Sequence, residues 1–233
     1  KVWRIFVTCK SFRNCVPNKV IFMQDPLVVV APRLRQLVVD LPASKSISNR
    51  ALIINALSGA GVTPQNISDC DDTRVMVRAL SEEGRATETV DIMAAGTAMR
   101  FLTAYLSVTE GEHVITGTER MQHRPIAILV DALRQLGADI AYERDEGFQP
   151  LRIKGKTLQG GEVTLAGNVS SQYISAMLMI GPTLKNGLTL TLTGGIVSRP
   201  YIDMTLGIMR EFGAKTAFEG NTIRIAPTGY TAI

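Results

Sequence analysis

The chain has 233 residues, of which 45% are hydrophobic and 20% are charged, so it holds enough apolar material for the core of a globular protein. This composition excludes an intrinsically disordered chain, a collagen-like rod and a small disulfide scaffold. No apolar run reaches the roughly 18 uncharged residues that a membrane-spanning helix needs, and we therefore expect no membrane partner.

The charges are unevenly distributed along the chain. The formal net charge is +4, but the first 22 residues hold five basic residues and no acidic one, which leaves 20 basic and 21 acidic residues in the remainder. The body of the protein is therefore close to neutral and lacks a basic stripe, so we expect no nucleic-acid partner. The three scattered cysteines favour a reducing, cytoplasmic location, and the two isolated histidines predict no metal site.

We interpret residues 1–23 as a leader. The segment alternates apolar and basic residues without the continuous apolar stretch of a secretory signal. Met23 ends it. We expect Met23 to be the natural start and the residues before it to be non-native or disordered.

Three helices of one kind are predicted in the body of the chain. Their segments are rich in Ala, Leu, Ile and Met and are apolar on nearly every side, which is typical of buried helices. They cover residues 48–57, 96–106 and 170–180. Each of them begins among glycine or hydroxyl-bearing residues.

A helix of a second kind follows each buried helix, with its apolar residues at helical spacing on one face. The three segments are 72–84, 124–137 and 199–213. We expect Gly84, Gly137 and Gly213 to end these helices in the left-handed conformation. Pro125 and Pro200 are expected in a first helical turn, where proline is tolerated.

Short strands are predicted between these helices. They cover residues 38–41, 112–116, 151–153, 161–165, 187–192 and 222–225. The order buried helix, strand, amphipathic helix and further strands occurs three times, and a repeat of more than about 50 residues is too long for an ankyrin or tetratricopeptide solenoid. We therefore predict a mixed α/β (α+β) domain with three buried helices inside and sheets around them. The alternative, an open doubly wound sheet, would need more continuous Val and Ile strands and a glycine-rich first turn.

The starts of the buried helices predict an anion site. A helix N-terminus offers unpaired N–H groups and a partial positive charge, although Ser, Thr and Gly there also serve as simple N-caps. Lys45, Ser46 and Arg50 surround the first start and supply a point charge and a forked donor that suit phosphate or carboxylate. Arg124 and Arg199 precede a proline at a helix start, where a cation opposes the helix dipole unless an anion lies nearby.

Five motifs, in this order, resemble those of the 5-enolpyruvylshikimate-3-phosphate synthase (3-phosphoshikimate 1-carboxyvinyltransferase) family. They are LPASKSISNRAL at 41–52, AGTAMR at 95–100, RMQHRPI at 120–126, VSSQY at 169–173 and SRPYID at 198–203. The resemblance covers about residues 27–226. It is closer than the likeness to UDP-N-acetylglucosamine enolpyruvyl transferases, whose catalytic cysteine loop we do not find in the sequence.

The resemblance implies an enolpyruvyl transferase-like fold of two similar domains, each built from three βαβαββ units. It also implies transfer of the enolpyruvyl group of phosphoenolpyruvate to the 5-hydroxyl of shikimate 3-phosphate, in aromatic amino-acid biosynthesis and without a metal or organic cofactor. Family members are about twice as long as this chain, so we expect a missing C-terminal domain as partner. Residues 24–40 would belong partly with that domain, residues 41–226 would bind shikimate 3-phosphate, and residues 227–233 would cross to the missing domain.

The resemblance further implies roles for ten residues. Lys45 would be catalytic and touch both substrates, and Gln172 would lie between the substrates. The residues that would bind shikimate 3-phosphate are Lys45, Ser46, Arg50, Ser170, Ser171, Gln172, Ser198 and Tyr201. The residues that would bind phosphoenolpyruvate are Lys45, Gly96, Arg124 and Gln172.

Three residues depart from the family's commonest pattern. Ala94 stands in place of Asn, Phe101 in place of Pro, and Ala43 in place of Gly. We expect these changes to lie beside the phosphoenolpyruvate pocket and to affect the affinity for that substrate and for glyphosate. The alternative to an enzyme is a non-catalytic module that binds phosphate or shikimate 3-phosphate, because the second domain would supply the general acid and base.

Overall fold

The structure is a computed structural model that describes residues 41–61 and 63–233. The predicted leader over residues 1–23 and the predicted incoming strand over residues 24–40 lie outside the described residues. Of the strand predicted at 38–41, only Leu41 is described, and it belongs to no helix or strand.

The described residues form eight α-helices and eight strands. The helices are α1 (Lys45–Leu57), α2 (Asp71–Leu80), α3 (Glu82–Arg85), α4 (Gly96–Val108), α5 (Glu119–Gln122), α6 (Ala127–Gln135), α7 (Ser171–Ile180) and α8 (Arg199–Glu211). The strands are β1 (Thr89–Asp91), β2 (Gly111–Thr116), β3 (Asp139–Tyr142), β4 (Leu151–Gly155), β5 (Gly161–Ala166), β6 (Leu188–Thr193), β7 (Thr216–Glu219) and β8 (Thr222–Ile225). The fold is therefore mixed α/β, as predicted.

The strands form two four-stranded sheets with the same topology. One sheet has the order β1-β2-β4-β3 and the other the order β5-β6-β8-β7. In each sheet the first pair is parallel and the other two pairs are antiparallel. A parallel pair needs a crossover connection, and α4 and α7 provide it. Each sheet with its two long helices is thus a βαβαββ unit.

The alternation of residues in β6 explains why the strand has one buried face. Its sequence is LTLTLT, and successive side chains of a strand point to opposite faces. Leu188, Leu190 and Leu192 are all buried, while the threonines between them face outward. Burial of each leucine contributes about 1.5–3 kcal/mol, so the register of this strand is fixed by its core face.

The first of the three predicted units differs from the other two. Helices α1 and α2 occupy the buried and amphipathic positions, but the described residues before Thr89 contain no strand. Only residues 81–88 separate α2 from β1, and α3 takes up half of this length. The corresponding connection between α6 and β5 covers residues 136–160 and includes β3 and β4. The structure therefore has two complete βαβαββ units, and the threefold repeat stays a prediction.

The three helices predicted to be buried form the interior of the domain. Helices α1, α4 and α7 contact one another. Every residue of α4 from Gly96 to Ser107 is buried except Arg100, and α7 is buried from Tyr173 to Ile180. In α1, residues 48–50 and 52–54 are buried, while Lys45 and Ile47 are exposed. Because α4 and α7 have neighbours on nearly all sides, their sequences are apolar on nearly all sides. The prediction of buried helices is therefore confirmed for α4 and α7 along most of their length and for α1 in its middle part.

Two details of the predicted amphipathic helices are wrong. Gly84 does not end α2, which stops at Leu80; it lies in α3, where a Cβ would meet the Arg78 carbonyl oxygen. Pro125 lies outside α6, because the buried Ile126 turns the chain and donates its N–H to the Gly147 carbonyl before the helix begins. The positive φ angles of Gly137 and Gly213 and the position of Pro200 agree with the prediction.

The last residues pack against the body of the domain. The Gly229 N–H donates to the Pro182 carbonyl at 2.9 Å, and the Thr231 N–H donates to the Phe212 carbonyl at 2.9 Å. The Tyr230 hydroxyl donates to the Met179 carbonyl at 2.7 Å, and burial raises the pKa of Tyr230 well above its usual value. These contacts fix residues 229–231 on the domain.

Candidate active site

The N-termini of the three buried helices open into one pocket. The pocket has a volume of about 250 Å³. Its lining residues are Lys45, Ser46, Arg50, Thr97, Ser170, Ser171, Gln172 and Tyr201. They come from the first two turns of α1, from the first turns of α4, α7 and α8 and from Ser170, which precedes α7, and none of them is acidic. The pocket suits a small anion, because it is lined by two cations, four aliphatic hydroxyl groups, a phenol and an amide.

Each of the three helix N-termini already has a cap. Ser44 accepts a hydrogen bond from the Ile47 N–H in α1 at 3.4 Å, and Ser170 accepts one from the Gln172 N–H in α7 at 3.3 Å. The first residue before α4 is Ala95, which has no capping side chain. Asp72 of α2 replaces it and accepts a hydrogen bond from the Thr97 N–H at 3.1 Å. An anion in the pocket would therefore rely on side chains more than on helix N–H groups.

Seven of the ten predicted site residues line the pocket, and three do not. The three are Gly96, Arg124 and Ser198. Gly96 lies against Arg124 and Arg100, because a Cβ on Gly96 would stand 2.7 Å from Arg124 Nη1 and 3.1 Å from Arg100 Nη1. Ser198 precedes α8, and its carbonyl accepts a hydrogen bond from the Tyr201 N–H at 3.1 Å. A larger residue at position 96 would displace the ends of these two arginine side chains from the backbone.

Arg50 is a buried cation at the base of the pocket. It is 2% exposed. Its Nε–H donates to Thr205 Oγ1 at 2.7 Å, its Nη1 group donates to the Ser46 carbonyl at 2.8 Å, and its Nη2 group donates to Ser175 Oγ at 2.9 Å. The guanidinium carbon lies 5.3 Å from the centre of the Phe101 ring and 5.9 Å from that of Tyr201. Rings at this distance stabilise a cation.

No acidic side chain among the described residues forms an ion pair with Arg50. A buried charge without a counter-ion is costly. Burial accordingly lowers the pKa of Arg50 from its usual value to about 10. The side chain remains protonated at neutral pH, so the pocket carries a positive charge that no carboxylate neutralises.

Lys45 and Gln172 are held by fewer contacts than Arg50. The Lys45 Nζ atom lies 3.8 Å from Asp72 Oδ2, with the Lys45 side chain about half exposed. Gln172 donates from Nε2 to Thr97 Oγ1 at 3.1 Å, which links α7 to α4 across the pocket. Both side chains can therefore turn toward a ligand without breaking the core.

Sequence reasoning gave no site role to Thr97, Ser175 and Thr205. Ser175 follows the predicted site residue Ser171 by four positions, and Thr205 follows Tyr201 by four. Residues four apart lie on the same face of a helix. This spacing was the signal that could have found Ser175 and Thr205, because a polar residue one turn behind a site residue lies on the same face of the helix.

The structure places two of the three residues that depart from the family pattern. The Phe101 ring packs against Arg50, whose guanidinium carbon lies 5.3 Å from the ring centre. Ala94 lines a separate hollow of about 460 Å³ together with Asp72 and Met93. That these residues lie beside the phosphoenolpyruvate pocket stays a prediction.

Residues 41–61 and 63–233 contain neither a metal-binding cluster nor a membrane-spanning helix. No group of three or more His, Cys, Asp or Glu side chains there could hold a metal ion. None of the helices in that part of the chain has the length and apolar character needed to cross a membrane.

Asp72→Ala is expected to lower the free energy of unfolding by about 1 kcal/mol, the usual cost of losing a helix cap. The substitution leaves the Thr97 N–H without its acceptor and removes the partner of Lys45. Urea unfolding of residues 1–233 measures the effect. Asp71→Ala is the matched control, since the Asp71 side chain is 96% exposed and forms an ion pair with Arg74 at 3.5 Å. Equal stability of the two variants would contradict the capping role.

A protein-family model described as EPSP synthase (3-phosphoshikimate 1-carboxyvinyltransferase) matches residues 33–91 and 82–231. A protein of Bacteroides fragilis (strain ATCC 25285) named 3-phosphoshikimate 1-carboxyvinyltransferase is 64% identical over 201 residues, which cover 86% of this chain and 48% of that protein. A Shewanella woodyi protein of the same name is 42% identical over 200 residues, which cover 76% of this chain and 47% of the relative.

A solved structure of EPSP synthase from Acinetobacter baumannii has a similar fold. The match has a TM-score of 0.69 at 22% sequence identity and covers 82% of this chain and 46% of that chain. The fold of the described residues is therefore that of part of a larger protein of this kind. The chain spans about half the length of the curated relatives that it matches.

Proposed function

The chain belongs to the EPSP synthase (3-phosphoshikimate 1-carboxyvinyltransferase) family, and from this we propose that it is the part of such an enzyme that binds shikimate 3-phosphate. The whole enzyme transfers the enolpyruvyl group of phosphoenolpyruvate to the 5-hydroxyl of shikimate 3-phosphate, in the cytoplasm and in aromatic amino-acid biosynthesis. The observation that carries the proposal is Arg50, a buried guanidinium at the pocket base without a carboxylate partner among the described residues.

Arg50 favours a doubly charged ligand. The positive charge costs folding free energy in the empty pocket, and a phosphate dianion would offset that cost. Lys45 and the hydroxyls of Ser46, Ser170 and Ser171 surround the same space and add donors for the phosphate oxygens. We assign these residues to the phosphate of shikimate 3-phosphate, together with Ser198 and Tyr201 at the start of α8.

The second substrate belongs on the other side of Gln172. Gly96 and Arg124 lie beside each other, and a carboxylate or phosphate of phosphoenolpyruvate there would contact the Arg124 guanidinium. Gln172 bonds to Thr97 in the first turn of α4 and so stands between the two regions. Lys45 would reach the reacting centre because it projects from the mouth of α1 with half of its side chain exposed.

A second domain would complete the active site. Large apolar side chains are exposed close to the helix starts that line the pocket. They are Ile47, Met93, Val197 and Tyr201. Closure of a second domain over them would exclude water, and water exclusion strengthens electrostatic contacts. We propose that this domain also supplies the general acid and base, that residues 24–40 pair partly with it and that residues 227–233 lead to it.

The second candidate is a non-catalytic module that binds phosphate or shikimate 3-phosphate. The pocket favours it for residues 1–233 alone, because none of the lining residues is a carboxylic acid that could donate or accept a proton in the reaction. The two candidates agree on binding and differ on turnover.

Ser171→Ala is expected to weaken the binding of shikimate 3-phosphate by residues 1–233 by about tenfold to a hundredfold, since a hydrogen bond to a charged group contributes roughly 1.5–3 kcal/mol. Isothermal titration calorimetry measures the affinity. Ser58→Ala is the control, because Ser58 lies at the opposite end of α1. An affinity for shikimate 3-phosphate that is the same in wild type and Ser171→Ala would remove Ser171 from the site. Absence of binding by the wild-type chain would overturn the proposed function.

A further inference from the structure

We propose that the hydroxyl groups of Ser175 and Thr205 are positioning residues that hold Arg50 in the pocket by neutral hydrogen bonds and so leave its charge available to a ligand. The inference rests on the proposed function in that the ligand is shikimate 3-phosphate. It goes beyond that function by assigning a role to two side chains that do not touch the pocket.

The hydrogen bond that Thr205 makes to a backbone carbonyl sets the direction of the other hydrogen bonds around Arg50. Thr205 accepts from the Arg50 Nε–H and donates its single hydroxyl hydrogen to the Tyr201 carbonyl at 2.7 Å. The Ser175 and Thr205 oxygens are 2.9 Å apart. Because the hydrogen of Thr205 is already used, Ser175 donates to Thr205 and accepts from Arg50 Nη2. Every hydroxyl hydrogen in this group has an acceptor, and the group carries no negative charge.

Neutral partners matter because a carboxylate in their place would compete with the ligand. An Asp or Glu beside Arg50 would form an internal ion pair, and a phosphate dianion would then meet a neutralised site and a nearby negative charge. The Phe101 and Tyr201 rings also contact the guanidinium without neutralising it. The guanidinium has five N–H donors, and three are used internally, so two remain for a ligand in the pocket that Arg50 lines.

The two hydroxyls form a layer directly behind the pocket. Ser175 lies one helical turn after Ser171, and Thr205 one turn after Tyr201, both of which line the pocket. Ser175 and Thr205 themselves have no exposed surface and cannot touch a substrate. They therefore act only through Arg50, which comes from α1. The layer ties α1, α7 and α8 together at the point where the charge is presented.

Thr205→Val tests the proposal in residues 1–233, because valine keeps the shape of threonine and removes the oxygen. We expect the affinity for shikimate 3-phosphate, measured by calorimetry, to fall at least tenfold, and Thr205→Ser to restore it to within threefold of wild type. Thr103→Val is the matched control. Thr103 also has no exposed surface and donates to the carbonyl four residues before it, Met99, at 2.7 Å, but it does not contact an arginine.

The side chain of Arg50 offers a readout that needs no ligand. In ¹H–¹⁵N spectra the Nε–H of Arg50, identified by its loss in Arg50→Met, should exchange slowly with water in the wild type and in Thr103→Val. It should exchange rapidly in Thr205→Val. If wild type does not bind shikimate 3-phosphate but shows this protection, the proposed function fails and the positioning role stands. If Thr205→Val keeps both the protected Nε–H and wild-type affinity, the positioning role is overturned.

Ser175 supplies two further variants. Ser175→Ala removes one acceptor and takes the place of Thr205→Val if the latter does not fold; the same loss of affinity is expected. Ser175→Asp places a counter-ion beside Arg50, so the affinity for shikimate 3-phosphate should fall at least tenfold although the Nε–H stays protected. Wild-type affinity in a folded Ser175→Asp would overturn the requirement for neutral partners.

Discussion

Arg50→Met is expected to abolish measurable binding of shikimate 3-phosphate by residues 1–233 while leaving the free energy of unfolding within about 1 kcal/mol of wild type. The loss of binding follows from the two N–H donors that Arg50 can direct into the pocket. Each hydrogen bond to a charged group contributes roughly 1.5–3 kcal/mol. Removal of both donors would weaken binding by at least about a hundredfold, which calorimetry would record as no binding at moderate concentrations.

The unchanged stability follows from two opposing effects at the same side chain. Burial lowers the pKa of Arg50 to about 10, which corresponds to about 3 kcal/mol of unfavourable free energy for the charged form. The penalty is present in full below pH 10 and declines as the pH rises above 10, because the folded state then releases its proton before the unfolded state does. Loss of three internal hydrogen bonds costs roughly 0.5–1.5 kcal/mol each. The two contributions are of similar size and opposite sign.

Urea unfolding tests the expected stability of Arg50→Met, and calorimetry on the same protein samples tests the expected loss of binding. Arg134→Met is the matched control, because Arg134 also donates to a carbonyl, that of Ile140 at 2.7 Å, and packs 5.0 Å from an aromatic ring. Arg134 does not line the pocket, so its removal should leave the affinity unchanged. If Arg50→Met kept wild-type affinity, Arg50 would be a core residue and not part of an anion site.

The sequence predicts the interior of this fold better than its edges. Helices α4 and α7 were predicted because helices that are surrounded on all sides must be apolar on all sides. Strand β6 was predicted because leucine and threonine alternate along it. Strands β1, β3 and β7 were missed, since each has only three or four residues with mixed polarity. Pairing with the neighbouring strands β2, β4 and β8 places them, and such pairing is not visible in a local pattern.

In the candidate site, too, one part can be predicted from a local stretch of sequence and another part cannot. Lys45, Ser46 and Arg50 stand together in one stretch of sequence, and their residue types alone indicate an anion site. The acceptors of the Arg50 guanidinium on other elements are 125 and 155 residues away along the chain, and no sequence signal connects α1 with α7 and α8. Sequence analysis therefore indicated which charge would be used, whereas the neutrality of its surroundings required three-dimensional contacts.

Residues 1–233 alone are expected to show no measurable enolpyruvyl transfer, while a chimera that joins them to the C-terminal half of the 64% identical Bacteroides fragilis relative should be active. General acid and general base catalysis contribute about 10²–10⁴-fold each. The pocket lining contains no carboxylic acid and no histidine, and only Lys45 and Tyr201 among its residues could exchange a proton, so we expect the missing domain to supply the other proton-transfer group. Without a covering domain, moreover, phosphoenolpyruvate would meet Arg124 in water, where charge interactions are weak.

The assay is phosphate release from shikimate 3-phosphate and phosphoenolpyruvate. Lys45→Ala in the chimera controls for a contaminating enzyme, and it should remove the activity because Lys45 is the cation placed to touch both substrates. Binding of shikimate 3-phosphate by the chimera should stay close to that of residues 1–233, since the phosphate contacts assigned to this ligand all lie in the present chain. Robust turnover by residues 1–233 that disappears in Lys45→Ala would show instead that this domain supplies its own proton donor. The division of binding and proton transfer between two domains would then be wrong, and the donor would have to be sought among groups that reach the pocket only when both substrates are bound.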